Sequence, residues 1–162
     1  MARFDDLDVG EMVLDDVEEV LAIDARALRS AWSRAHFLVE LESPLGAAYV
    51  ARSPRHRHGA LLGFAVVRVV ADECEVLTIA VDPKARRRGV GRALLERALA
   101  DAFRRGARRA HLEVRAGNRA AIALYTLLGF GERGLRARYY VNPTEDALLM
   151  TAEVCAPDCA RD

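Results

Sequence analysis

Residues 75–114 constrain the fold of this chain more than any other stretch. They open with an apolar, β-branched run, EVLTIAV at 75–81, and pass through the loop DPKARRRGVGR. A segment then carries Val90, Leu94 and Ala98 at spacing four, with Leu95, Leu99 and Phe103 beside them. That spacing lines one face of an α-helix, and Gly106 ends it. A second short strand is expected at 110–114. Strand, glycine loop, helix and strand in direct succession place the chain in the α/β (α+β) class.

The flanking sequence extends the pattern. A short strand is expected at 9–14, and Asp15 or Asp16 can cap a helix with Val17, Val20, Leu21 and Ala25 on one face. A second helix should begin at Ser33. Strands are expected at 47–51 and 60–70, joined by the turn-like SPRHRHG at 53–59. After 114, Asn118 can cap a helix bearing Ile122, Leu124, Tyr125 and Leu128, stopped by Gly129, and closing strands lie near 131–136 and 147–154. The order is β α α β β β α β α β β.

A chain of 162 residues that is 52% hydrophobic suits one compact domain with a real core, here 1–154 followed by a short tail, 155–162. No run approaches the roughly 18 apolar residues of a membrane span, and the N-terminal MARFDDLDVGEM is acidic where a secretion signal would be basic and then apolar. The expectation is a soluble, cytoplasmic protein without membrane association. Cys74, Cys155 and Cys159 form no zinc-like set of four ligands and read as ordinary thiols; His56 and His58 lack carboxylate or cysteine company, so no metal is expected.

Formal net charge is zero but unevenly spread. Residues 84–119 hold Lys84 and eleven arginines against Glu96, Asp101 and Glu113, which is 12 − 3 = +9, leaving −9 for the rest. Such asymmetry suits local binding of an anion, though solvated helix faces would produce it too. Three uses compete for the loop: a nucleic-acid patch, a nucleotide phosphate loop, or a cradle for another phosphorylated ligand. A loop that leaves a strand and opens a helix offers backbone N–H groups at the positive end of the helix dipole. The spacing Arg86-x-x-Gly89-x-Gly91 lacks the Lys-Ser/Thr of the nucleotide loop and is not the dinucleotide GxGxxG. No aromatic residue interleaves the arginines between 84 and 102, so stacking platforms for bases are missing and no direct nucleic-acid binding is expected.

A second constellation, LEVRAGNRAAIALYTLLGFGE at 112–132, joins the first. Together with VDPKARRRGVGRALL, TIAV at 78–81, the ending with Tyr139, Tyr140 and Glu145 to Met150, and loosely AWS at 31–33, it resembles the GNAT N-acetyltransferases. The likeness is nearest to their RimI-like branch, the ribosomal-protein alanine N-acetyltransferases. It departs from that branch at Ala31, where proline is usual, and after residue 154.

The resemblance implies a GNAT fold: a mixed sheet of six to seven strands with flanking helices, in which two central parallel strands splay to form an acetyl-CoA cleft. It implies acetyl-CoA as co-substrate, with Arg87, Arg88, Gly89, Val90, Gly91 and Arg92 around the pyrophosphate. Ile79, Ala80 and Val81 would offer backbone groups to the pantetheine arm and acetyl group. Asn118 would contact the cofactor, act as a helix N-cap, or do both. Trp32, Tyr139 and Tyr140 would shape the acceptor groove.

An amine acceptor is mostly ammonium at neutral pH, since an α-amino group titrates near ~8, so a base must take a proton before nitrogen attacks the thioester. Glu113 is the candidate: Leu112 and Val114 flank it on a strand, so its carboxylate faces away from their side chains. The competing reading is an ion pair with Arg115 or Arg109. The departing thiolate needs a proton, and Tyr125 is the candidate acid, with core packing or positioning as the alternative. By analogy a backbone N–H in 79–81 serves the oxyanion.

The implied activity is acetylation of a protein's N-terminal α-amine, ribosomal alanine termini being the branch's target, with Glu145, Asp146 and Glu42 available to an ammonium. A lysine or small-molecule acetyltransferase, or a non-catalytic acetyl-CoA-binding regulator, would share the same core. Oligomeric state is not encoded legibly; a monomer is favoured.

Overall fold

The computed structural model describes residues 7–54 and 59–156, so His56, His58 and Cys159 lie outside the described residues. Its elements follow the expected order: β1 (Asp8–Glu11), α1 (Val17–Ala27), α2 (Arg34–Glu42), β2 (Gly46–Arg52), β3 (Leu61–Val70), β4 (Glu73–Val81), α3 (Val90–Arg104), β5 (Arg109–Arg115), α4 (Arg119–Leu127), β6 (Gly131–Tyr140) and β7 (Glu145–Glu153). Single 3-10 turns, Leu14–Asp16 and Pro83–Ala85, precede α1 and α3. The strands form one mixed seven-stranded sheet in the order β1-β2-β3-β4-β5-β7-β6. β4 and β5 pair in parallel at Glu73 with Arg109, Cys74 with Ala110 and Glu75 with His111. β5 pairs antiparallel with β7 along its whole length, from Arg109 with Glu153 to Arg115 with Ala147. Among the described residues no helix is long and apolar enough to cross a membrane.

The residues cluster into two compact units: those up to Arg68 together with Leu77–Ala98, and Val69–Val76 together with those from Leu99 onward. In the first, Val17, Val20 and Ile23 of α1 and Phe37 of α2 are buried with Val50, Phe64, Val66 and Ala80. The Phe37 and Phe64 rings meet edge to face at 5.6 Å. Each fully buried valine, isoleucine or phenylalanine among them contributes about 1.5–3 kcal/mol. Ala25, expected on the buried face of α1, is exposed. Asp24 takes the inward position four residues after Val20, because its carboxylate is used there. It accepts from the Ser30 hydroxyl at 2.8 Å and the Ser30 N–H at 3.2 Å. The Ser30 Oγ in turn accepts from the Trp32 N–H at 3.1 Å, so a buried carboxylate fixes the α1–α2 loop.

In the second unit, Ala110, Leu112 and Val114 of β5 are buried, while Glu113 and Arg115 lie on the other, half-exposed face. The two-residue period of a strand produces this division. α4 ends in a Schellman motif: Gly129, at φ 90°, donates to the Thr126 carbonyl and Phe130 donates to the Tyr125 carbonyl, each at 3.0 Å. Glycine suits that left-handed position because a Cβ is disfavoured there. β6 ends the strand order, exposed along most of its length, and its register with β7 breaks between Arg136 and Tyr140, where Arg138 has φ 53°.

Candidate functional site

The arginine-glycine loop is built within the first unit. Asp82 follows β4, and its side chain accepts from the Lys84 N–H at 3.0 Å, capping the 3-10 turn. That hydrogen bond, then the one from Arg26 at 2.6 Å, hold the Asp82 carboxyl below the usual carboxylate range. Arg87 (φ 62°) and Gly89 (φ 77°) then reverse the chain into α3. The Gly89 carbonyl accepts the first helical hydrogen bond, from Ala93 at 3.0 Å, which makes Gly89 the N-cap. A glycine cap brings no side-chain oxygen to the N–H groups of the first turn, so their positive end is presented to an anion. Val90 and Leu94 seat this turn on β3, where a Cβ at Gly63 would lie 3.1–3.2 Å from them and 2.7 Å from the Ala80 carbonyl. Arg86, Arg87 and Arg88 are exposed beside the turn. Arg92 makes a 2.7 Å ion pair with Glu96 one helical turn on. Ile79 and Val81 are half-buried and Ala80 is buried in β4, directly before the loop. Together they suit a diphosphate: N–H groups at a long helix's start, a cap without a side chain, and exposed arginines at the rim.

Trp32, Ser33 and His36 form the start of α2. Ser33 N–H donates to His36 Nδ1 at 2.9 Å, a capping box in which histidine replaces the usual acid. Trp32 packs against Phe37 at 4.9 Å and lines, with His36, Val39 and Leu77, an open groove of about 490 Å³. His36 carries no sequence signal beyond its spacing from Ser33.

The second unit brings Glu113 and Tyr125 into sharply different surroundings. Glu113 Oε1 lies 3.2 Å from Arg136 Nε of β6, not beside Arg115 or Arg109. Those two pair elsewhere: Arg115 with Glu145, and Arg109 with Asp72 and Glu73. Side chains two apart on β5 share a face but point parallel, whereas β6 lies across β7 from β5 and a long arginine can reach over. The Tyr139 phenol hydrogen-bonds to the Glu113 carboxylate, which raises its pKa. Tyr139 and Tyr140 meet edge to face at 5.1 Å, and the Arg115 guanidinium lies 4.4 Å from the Tyr140 ring centre. Arg115 also donates to the carbonyls of Pro143 (3.1 Å) and Val141 (3.4 Å), fixing the β6–β7 turn. The Tyr140 phenol is raised by burial and then by the Glu113 charge.

Tyr125 is buried, its ring 5.9 Å from that of Phe130. Burial, and then Tyr140, push its phenol above the ordinary tyrosine range. Asn118 is an N-cap, accepting from the Ala121 N–H at 3.2 Å. Glu145 and Asp146 also accept from the backbone, Glu145 from the Gly117 N–H at 2.7 Å and Asp146 from the Arg138 N–H at 2.8 Å. Among the described residues no cluster of His, Cys, Asp and Glu could hold a metal ion.

Three comparisons bear on this arrangement. The sequence model of the acetyltransferase (GNAT) family matches residues 17–130. The [ribosomal protein bS18]-alanine N-acetyltransferase of Escherichia coli is 37% identical over 148 residues, covering 90% of this chain and 97% of that protein. The N-alpha-acetyltransferase RimI of Mycobacterium tuberculosis is 39% identical, covering 88% of this chain and 89% of that one. The crystal structure of the Escherichia coli ribosomal-protein-S18-alanine N-acetyltransferase superposes with a TM-score of 0.80, at 35% identity, over 91% of this chain and 94% of that one.

Proposed function

The chain belongs to the acetyltransferase (GNAT) family, and from that premise we propose that it moves the acetyl group of acetyl-CoA to the α-amine of a protein N-terminus, alanine in particular. The observation that carries this reading is the contrast between Glu113 and Tyr125. One is a carboxylate reachable from solvent; the other is a buried phenol that burial keeps protonated. A base and an acid set apart by their surroundings are what amide formation from an ammonium requires.

Each residue then has a defined task. The N–H groups that open α3, with Arg87, Arg88 and Arg92 around Gly89 and Gly91, hold the pyrophosphate. Ile79, Ala80 and Val81 supply backbone groups to the acyl arm, and Asn118 adds a contact while capping α4. Bound acetyl-CoA supplies an activated acetyl thioester. Glu113 takes a proton from the acceptor's ammonium, which frees the nitrogen lone pair. Tyr125 gives a proton to the sulfur that leaves. Trp32, Tyr139 and Tyr140 border the acceptor. The Escherichia coli relative is named for the alanine of ribosomal protein bS18, and the same protein is the acceptor proposed for this chain.

Initial rates of free-thiol release from acetyl-CoA test the reading against a peptide panel. Peptides with free Ala or Ser termini should support release, and N-blocked peptides whose only amine is lysine should not. Release with the lysine peptides alone would make the protein a lysine acetyltransferase. Release with neither, from protein that binds acetyl-CoA, would make it a non-catalytic binder.

A further inference from the structure

Arg136 is a cation placed on the carboxylate that the proposed mechanism needs. Its Nε lies 3.2 Å from Glu113 Oε1, and its side chain is 54% exposed against 26% for Glu113. A pair this open is screened by water and worth little, so another cation can exchange into it. The contrast with Glu40 is direct: that carboxylate is only 6% exposed and is paired with Arg68, which water cannot readily replace. Arg136 stands opposite Ala147 at the edge of the regular β6–β7 register, its guanidinium 5.5 Å from the Tyr139 ring centre. The β6–β7 register is irregular from Arg136 to Tyr140, and Arg138 stands at positive φ within that interval. Glu145 and Asp146, by comparison, accept from backbone N–H groups, whereas Glu113 meets the side chains of Arg136 and Tyr139.

We propose that Arg136 holds the place on Glu113 that the acceptor's ammonium takes, and that binding of the acceptor is an exchange of guanidinium for ammonium. This rests on the reading of Glu113 as the base. A guanidinium keeps its protons at all accessible pH and so cannot itself be a substrate of that base. An arriving ammonium competes with Arg136 for the same carboxylate charge, whereas an uncharged terminus has no charge with which to compete. Arg136 thereby acts as a specificity-determining residue: it admits amines to Glu113 and charges them for entry in acceptor affinity.

The test compares the full-length protein with Arg136→Gln and Arg136→Ala, reading both turnover and peptide affinity. At saturating acetyl-CoA, KM for an Ala-terminal peptide should fall by up to about five-fold, the worth of an exposed ion pair, with the gain in KM rather than kcat. Calorimetry of the same peptide in the presence of coenzyme A should show the same tightening, and none in a Glu113→Gln background, where no exchange is needed. A folded Arg136→Gln protein with unchanged or weakened peptide affinity overturns the proposal, as does a gain that persists with Glu113→Gln. The calorimetric arm does not depend on turnover. Tightening without acetyl transfer by the wild type would therefore fail the acetyltransferase reading and leave the exchange standing.

Discussion

Phe130 follows Tyr125 by five residues, donates its backbone N–H to the Tyr125 carbonyl at 3.0 Å, and sets its ring 5.9 Å from the phenol. These are the hydrogen bond and the apolar contact of a Schellman cap, so the helix end itself fixes where the phenol sits. The phrase YTLLGF therefore encodes both a stop signal and the placement of the proposed acid. Tyr125→Phe removes one hydroxyl and keeps the ring contact. We expect single-turnover acetyl transfer to slow by on the order of 10²-fold, with the melting temperature and acetyl-CoA affinity near those of the parent. A Phe variant as fast as the parent, beside an impaired Ala variant, would show that the ring matters and the hydroxyl does not.

Gly91 tests the phosphate loop more cleanly than Gly89. Gly89 stands at φ 77°, so a β-branched replacement there would strain the turn whatever it binds. Gly91 is the second residue of α3, where valine is conformationally tolerable. Gly91→Val should keep the fold and weaken acetyl-CoA at least about ten-fold by placing a branched side chain over the first-turn N–H groups. Calorimetry with an unchanged Kd would remove these N–H groups from cofactor binding.

Stability should fall in alkali, and Cys74 is one named cause. Burial pushes its thiol from 9.0 up to about 11. The native state therefore keeps a proton that the unfolded chain has released, and stability is lost as pH rises from 9 through 11, by about 2 kcal/mol at pH 11. Tyr125, also raised by burial, acts with the same sign at higher pH. Urea unfolding at pH 8 and pH 11 checks this. Cys74→Ala should be less stable at pH 8, from the lost sulfur, yet show a smaller drop between the two values. An equal drop in both proteins would mean that the thiol does not carry the dependence.

The sequence was most legible where one local rule decides the outcome. Strand alternation alone placed Glu113 opposite Leu112 and Val114, and glycine at 129 marked the end of α4. Hydrophobic periodicity puts Ala25 on the inner face of α1 because it passes over the buried Asp24, whose value lies in its bond to the Ser30 hydroxyl. Arg136 is illegible in the sequence for a similar reason. Its link to Glu113 spans 23 residues and a strand between them, and nothing in RGLRARYY distinguishes one arginine from the next. The β6 strand itself runs four residues past its expected end at 136, through the exposed, irregular segment that carries Tyr139. Local composition gave no sign of it, since the extension is held by a hairpin whose turn Arg115 anchors from β5.

The most direct measurement is tandem mass spectrometry of an Ala-terminal peptide, containing one internal lysine, after incubation with acetyl-CoA and either the parent or Glu113→Gln. The parent should place one acetyl group on the alanine nitrogen and leave the lysine bare. Glu113→Gln should make the same product at a rate lower by on the order of 10²-fold at neutral pH, partly recovered as rising pH deprotonates the acceptor. An acetyl group on lysine with a free alanine terminus, or a Glu113→Gln protein as fast as the parent, would contradict the account.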